Sequence, residues 1–282
     1  KTADDAVAFS LEAPITAEGT VYDIHYGELA HGLFAEQGGQ LIRAGIALGE
    51  QATLPAPGIF ALNGHAERFE FSLWNDVFKR YQVLRDGVPG NSEGPEIQQT
   101  INLSFGEFDY EGYVIEGLDL SGLREENSWQ LNASSQMTAG KITVFDSAAK
   151  PLIFDMAFLR LPLSEGDESG QGIDPLANVE LGKMVAVSFS TQEFSLGANS
   201  YGSWSFELKP DETGVNISGI VGSVRGIDVR GAELDTGATM TWRASDNGPQ
   251  TTFQGRLDMH NLADTLVAWE QPELLESKKA IF

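Results

Sequence analysis

The sequence predicts a mostly-β protein, a long antiparallel meander of strands with a few short helices. Three observations predict it. Short apolar–polar alternations recur along the whole chain, the mark of strands with one buried face. Gly is abundant, at 31 residues, and falls mostly between those alternations, where turns are needed. The 16 Phe, 5 Trp and 6 Tyr sit within the alternating pattern, which a disordered chain would not carry.

In chain order, the first strands are AVAFSLEA with Val7, Phe9 and Leu11, then TVYDIHY, LIRAGIAL with Ile42, Ala44, Ile46 and Leu48, and GIFALNGHAERF. A helix is predicted over SLWNDVFKRYQVLRDG, centred on residues 73–84, with Ser72 as N-cap and Gly87 as its stop. Strands resume at EIQQTINLSF, YVIEGLDLSG, SWQLNAS, KITVFD and PLIFDMAFLRL. The acidic, Gly- and Ser-rich stretch 162–178 divides a module over residues 1–161 from one over 179–282.

The second module alternates most clearly. In YGSWSFELK one face carries Trp204, Phe206 and Leu208 and the other carries Ser203, Ser205, Glu207 and Lys209. The turn PDETG returns the chain to Val215 and Ile217, a β-hairpin with a Gly-containing loop. Further strands carry Ile227 and Val229, then Met240 and Trp242, then Phe253, Leu257 and Met259, with Asp246-Asn247-Gly248 as a hairpin turn. A second helix, NLADTLVAW, starts at the N-cap Asn261 and carries Asp264 in its first turn, where a carboxylate suits the helix dipole. Gly64 and Gly255 introduce similar strand-to-helix junctions, which suggests an internal repeat. ESKKAIF reads as the opening of a further strand, so the chain reads as a segment of a longer repeated β-structure.

The charge balance narrows the function. A net charge of −23 argues against a phosphate-backbone partner, which needs a concentrated basic surface. Without cysteine there is neither a disulfide framework nor a thiolate metal site. No apolar run is long enough to span a bilayer as a helix. His25, His31, His65 and His260 show no metal-ligand spacing, and no nucleophile, zinc or phosphate-loop motif is present. The pairs Asp4-Asp5, Glu125-Glu126 and Asp167-Glu168 read as solvated turns, and an enzyme acting on envelope polysaccharide would need such carboxylates to converge in a cleft. The apolar faces fit two architectures: the inner layer of a closed sandwich, as in a scaffolding or binding domain, or the lining of an open trough filled by a ligand.

From residue 174 onward the chain resembles the YhdP family of AsmA-like proteins. Asp174-Pro175, the LG-x-x-S-Y-G-S-W-S-F stretch ending at Phe206, the PDETG turn, Met240-Thr241-Trp242-Arg243 and Thr252-Phe253-Gln254-Gly255 leading to Leu262 and Trp269 carry the resemblance. LPAPGIFALNGHAERFEFSLW and FDMAFLRLP extend it upstream. The resemblance implies a repeating-β-groove, bridge-like lipid transporter whose long twisted sheet curls into an open U-shaped groove. It implies a monomeric periplasmic bridge that moves phospholipid acyl chains without catalysis or cofactor. An N-terminal helix would anchor the full-length protein in the inner membrane, and its far end would meet the outer membrane or its proteins. The candidate groove residues are Val185, Val187, Phe189, Trp204, Phe206, Leu208, Val215, Ile217, Met240, Trp242, Phe253 and Leu257.

Overall fold

The computed structural model describes residues 8–16, 19–71, 97–110, 113–147, 149–162, 184–233, 235–243, 250–269 and 280–281. The chain forms two compact units, Lys1–Gln136 and Met137–Phe282. Among the described residues both are built almost entirely of strands, as the alternations predict.

In the first unit β1 (Phe9–Glu12) and the short β2 (Ile15–Thr16) both pair with β3 (Gly19–Tyr26). The sheet continues through β4 (Ala30–Gln37), β5 (Gln40–Leu48), β6 (Ile59–Glu70), β7 (Gln98–Tyr110), β8 (Tyr113–Glu125) and β9 (Ser128–Ser134). The second unit runs from β10 (Thr138–Phe145) through β11 (Leu152–Leu161), β12 (Val187–Leu196) and β13 (Asn199–Pro210) to β14 (Gly214–Val224). There the sheet forks lengthwise: one end of β14 pairs with β15 (Ile227–Arg230) and the other with β16 (Ala238–Arg243). β17 (Gln250–Gln254) lies against β16, β18 (Arg256–Met259) against β15, and β19 (Ala280–Ile281) against β18. The stretch between Arg230 and Ala238 is thus an excursion from what would otherwise be one strand along β14. Among the described pairings the strands of neither unit close into a barrel.

The sheets are mixed, which corrects the expectation of a purely antiparallel meander. The β5–β6, β6–β7 and β11–β12 pairs are parallel. Each of these junctions is longer than a hairpin loop, and a longer connection can carry the chain back to start the next strand at the same end. One such connection, residues 49–58, lies across β5. A Cβ on Gly45 would meet the Thr53 carbonyl oxygen at 2.1 Å, so only glycine admits this approach. Arg43 donates to Pro55 O at 3.4 Å and Gly58 N–H to Ile42 O at 2.8 Å, fixing the connection to the strand beneath it.

β4 is an element that sequence alternation does not show. Its His31 lies beneath that connection and, like Ala35, is as buried as Gly32 on the opposite face, so neither side reads as solvent-facing. The helix predicted near 73–84, the 162–178 boundary stretch and the Asp246-Asn247-Gly248 turn lie outside the described residues. The second predicted helix is present as α1 (Leu262–Ala268), with Asn261 Oδ1 accepting from Ala263 N–H at 3.1 Å. Its buried Thr265 hydroxyl donates to Asn261 O at 2.8 Å and lies 3.3 Å from Gly226 O, seating the helix against the β14–β15 turn. That two-residue turn has φ 46° at Arg225 and 84° at Gly226, the left-handed pair that matches strand twist in a tight hairpin. The two junction glycines differ in role: Gly64 lies inside β6 at φ 126°, whereas Gly255 separates β17 from β18.

Candidate apolar grooves

Strand register turns separate alternations into continuous rows. In the first unit Leu11, Ile24, Gly32, Ile46, Leu62, Ile101, Gly122 and Leu131 are successive cross-strand partners on one face. The next row holds Phe9, Tyr26, Ala30, Leu48, Gly64, Leu103, Leu120 and Ala133. At the usual strand spacing of ~4.8 Å such a row is about 34 Å long. The intervening row, on the other face, is Ser10, His25, His31, Ala47, Asn63, Asn102, Ser121 and Asn132, and its members from Asn102 onward are exposed. Beyond the rows, Phe69, Phe105 and Phe108 form a ring cluster with centroids 5.0–5.7 Å apart.

The second unit repeats the design. Leu152, Val187, Leu208, Ile217, Met240 and Phe253 make one row. Ile142, Phe154, Phe189 and Phe206 make the next, with the Phe189 and Phe206 rings stacked at 5.1 Å. A third holds Gly140, Met156, Thr191, Trp204, Gly222, Val229 and Leu257. Val215 pairs with Trp242 on the same face. Eleven of the twelve candidate residues therefore share one face. Val185 precedes β12, outside the register that defines the rows, and is 53% exposed.

The first unit's rows were missed by sequence reasoning. Their signal was present, since Ile46, Leu48, Ile101 and Leu103 alternate in the predicted strands. What the sequence lacked was the register that joins them across parallel as well as antiparallel neighbours.

Most large side chains on these faces are half-buried. Among the described residues no large side chain is less than 2% exposed, which a closed sandwich core would provide. In the second unit Ile220, Val229 and Ala238 form a small buried cluster with Trp204, Phe206, Ile217, Met240 and Leu257 packed against it. The opposite face is polar. A hollow of about 690 Å³ there sets hydroxyls and charges of Ser190, Ser203, Ser205, Ser223, Asp228 and Arg230 beside apolar surface that includes Val221 and Val229. Beside it, Asp258, largely buried, accepts from Arg256 Nε at 2.6 Å and pairs with Arg230 at 3.3 Å. Burial pushes the Asp228 carboxyl up, but hydrogen bonds from Ser223 and His260 and the charges of His260 and Arg230 outweigh it, so the group sits below the usual aspartate range. Asp211, in the β13–β14 turn, is also held low, chiefly by hydrogen bonds from the Thr213 backbone and hydroxyl.

Asp23, His25 and His31 come together in the first unit, which their spacing in the sequence did not suggest. Asp23 Oδ1 lies 3.1 Å from His25 Nε2 and 2.9 Å from His31 Nε2. Ala52 N–H donates to His31 Nδ1 at 2.8 Å, so Nδ1 is the acceptor and Nε2 carries the proton given to Asp23. The two rings stack at 4.0 Å with planes 8° apart, so their in-plane lone pairs run side by side. Ligation of one ion needs those lone pairs to converge about 2.0–2.1 Å away, and a free Nε2 on His31. The arrangement suits a clasp that fastens the 49–58 connection to β4.

Among the described residues no helix is long and apolar enough to cross a membrane. No curated protein and no solved structure gives a match to the chain. The family model described as YhdP protein matches residues 1–282. With apolar rows on open sheets and a family match along its whole length, the chain belongs to the YhdP family, a bridge-like lipid-transport family of the cell envelope.

Proposed function

We propose that the apolar face of each unit is a stretch of a U-shaped trough that carries phospholipid acyl chains through the periplasm between inner and outer membranes. The observation that carries this reading is the set of apolar rows that run from strand to strand in each unit, with a polar face behind them in the second. An acyl chain lying along a row meets apolar side chains at nearly every strand. At roughly 0.8 kcal/mol per buried CH₂, contact along the row retains the chain without a shaped pocket. Headgroups stay in water at the open side and avoid most of their desolvation cost. No bond changes, so neither a catalytic residue nor a cofactor is required, and one copy of the chain suffices. Anchorage in the inner membrane and a partner at the outer membrane belong to the same reading.

Photo-crosslinking in cells tests it. Photoreactive residues placed at Ile101, Phe206 and Phe253 should capture phospholipid, and those at Ser121 and Glu207 should not. Equal capture on both faces overturns the reading.

A further inference from the structure

Two glycines on the apolar faces do something that backbone conformation does not require. Gly32 and Gly222 both have ordinary negative φ, unlike Gly219 at 65° and Gly226 at 84°, so an alanine fits their backbone. What excludes a side chain is an aromatic ring. A Cβ on Gly222 would lie 2.6 Å from Cε3 and 2.8 Å from Cδ2 and Cζ3 of Trp204, with no backbone atom nearer than these. A Cβ on Gly32 would lie 2.7 Å from Cε2 of Phe34, and its next contacts are atoms of the same ring. Each unit thus has an aromatic side chain against a buried glycine in a long apolar row, Trp204 by its face and Phe34 by its edge. In the second unit the indole is tethered as well, since Trp204 Nε1 donates to Tyr201 O at 2.7 Å.

We infer that Gly222 is a positioning residue that sets the clearance of the trough, by giving Trp204 a seat level with the sheet. The inference rests on the acyl-chain reading above. A ring seated on glycine covers the floor with apolar surface and adds little height. A methyl beneath it must displace something, and the glycine's own strand is held by ladder bonds on both sides. The ring is the movable partner, and the direction away from the glycine is off the sheet, into the space an acyl chain occupies. Overpacking of this kind moves side chains before it unfolds a protein.

The test uses the full chain carrying 5-fluorotryptophan, purified with its lipid, with the Trp204 signal assigned through Trp204→Phe. Gly222→Ala should shift the Trp204 ¹⁹F resonance toward a solvent-exposed position while the circular dichroism stays that of a β protein. Phospholipid per chain, counted by mass spectrometry, should fall by roughly threefold or more as the displaced ring takes up the space. Trp204→Ala sets the lipid level of a chain without the ring, and adding Gly222→Ala to it should lower that level no further. A merely structural role for Gly222 would cost lipid in the presence or absence of the ring. An unmoved resonance, undiminished lipid in Gly222→Ala, or a further loss in the double variant relative to Trp204→Ala each overturns the inference. A wild-type chain that captures no phospholipid overturns the acyl-chain reading and the clearance role with it, whereas a loaded wild type with a loaded Gly222→Ala overturns the clearance role alone.

Discussion

The two units build the same kind of surface from different side chains. One long row of the first unit, from Leu11 to Leu131, is aliphatic and glycine, and the next holds Phe9 and Tyr26 at one end. The corresponding face of the second unit is rich in aromatics, and part of it packs on itself around Ile220, Val229 and Ala238. The shared element is apolar continuity across the register, with side-chain identity free to vary. Truncation should separate the two. Ile220→Ala, inside the self-packed cluster, should cost about 2–4 kcal/mol of unfolding free energy. Ile101→Ala, on a half-buried row, should cost about 1–2 kcal/mol because less surface is lost and no closed cavity is left. Urea unfolding of both variants measures the gap, and equal losses would mean that the first unit's row is as much a packed core as the second's cluster.

The polar faces differ as well. In the first unit the 49–58 connection is fastened over β4 and β5 by His31, whereas in the second α1 docks at one strand end through Thr265. His31→Ala leaves the Ala52 N–H without its acceptor and should cost about 2–3 kcal/mol. Faster hydrogen exchange at the Ala52 amide would locate the loss. In the intact chain, ¹⁵N spectra should show His31 protonated at Nε2 and bare at Nδ1; the opposite tautomer would break the clasp. Asn261→Ala removes the cap of α1 and should cost about 1 kcal/mol. Its effect should stay near the β14–β15 turn, since the helix is short and touches little else.

How much of this was legible in the sequence follows from what alternation reports. Period two identifies a strand and its apolar face, which is why Trp204, Phe206 and Leu208 and their partners fall on one side as read. It fails for β4, where Gly32 and His31 are buried on opposite faces and no solvent-facing set remains. It is silent on partners: nothing local tells Leu62 that it lies beside Ile46 and Ile101 in parallel pairs, because that depends on long connections. The clasp was hidden for the same reason. His25 and His31 are close in sequence, but their meaning comes from Asp23 across the face and from Ala52 folded over it.

The weakest expected effect concerns charge on the second unit's polar face. Asp228 sits below the usual aspartate range because Ser223, His260 and Arg230 together outweigh burial. A carboxyl held low in the folded state adds stability that is present above its unfolded range and lost as pH falls through its folded value. His260 lies 3.0 Å from Asp228 on an exposed side chain, so the pair contributes less than about 1 kcal/mol and fades with salt. His260→Ala should raise the Asp228 titration toward the ordinary range, leaving Arg230 and Ser223 to hold what remains. Acid unfolding of the variant should then begin at slightly higher pH than in the parent. The shift should be confined to the carboxyl resonance of Asp228, with that of Asp211 unmoved, because Asp211 is held by its own turn through Thr213. Movement of both would mean that the polar face of the second unit titrates as one coupled surface, unlike the first unit's face, where a single backbone donor fixes the clasp.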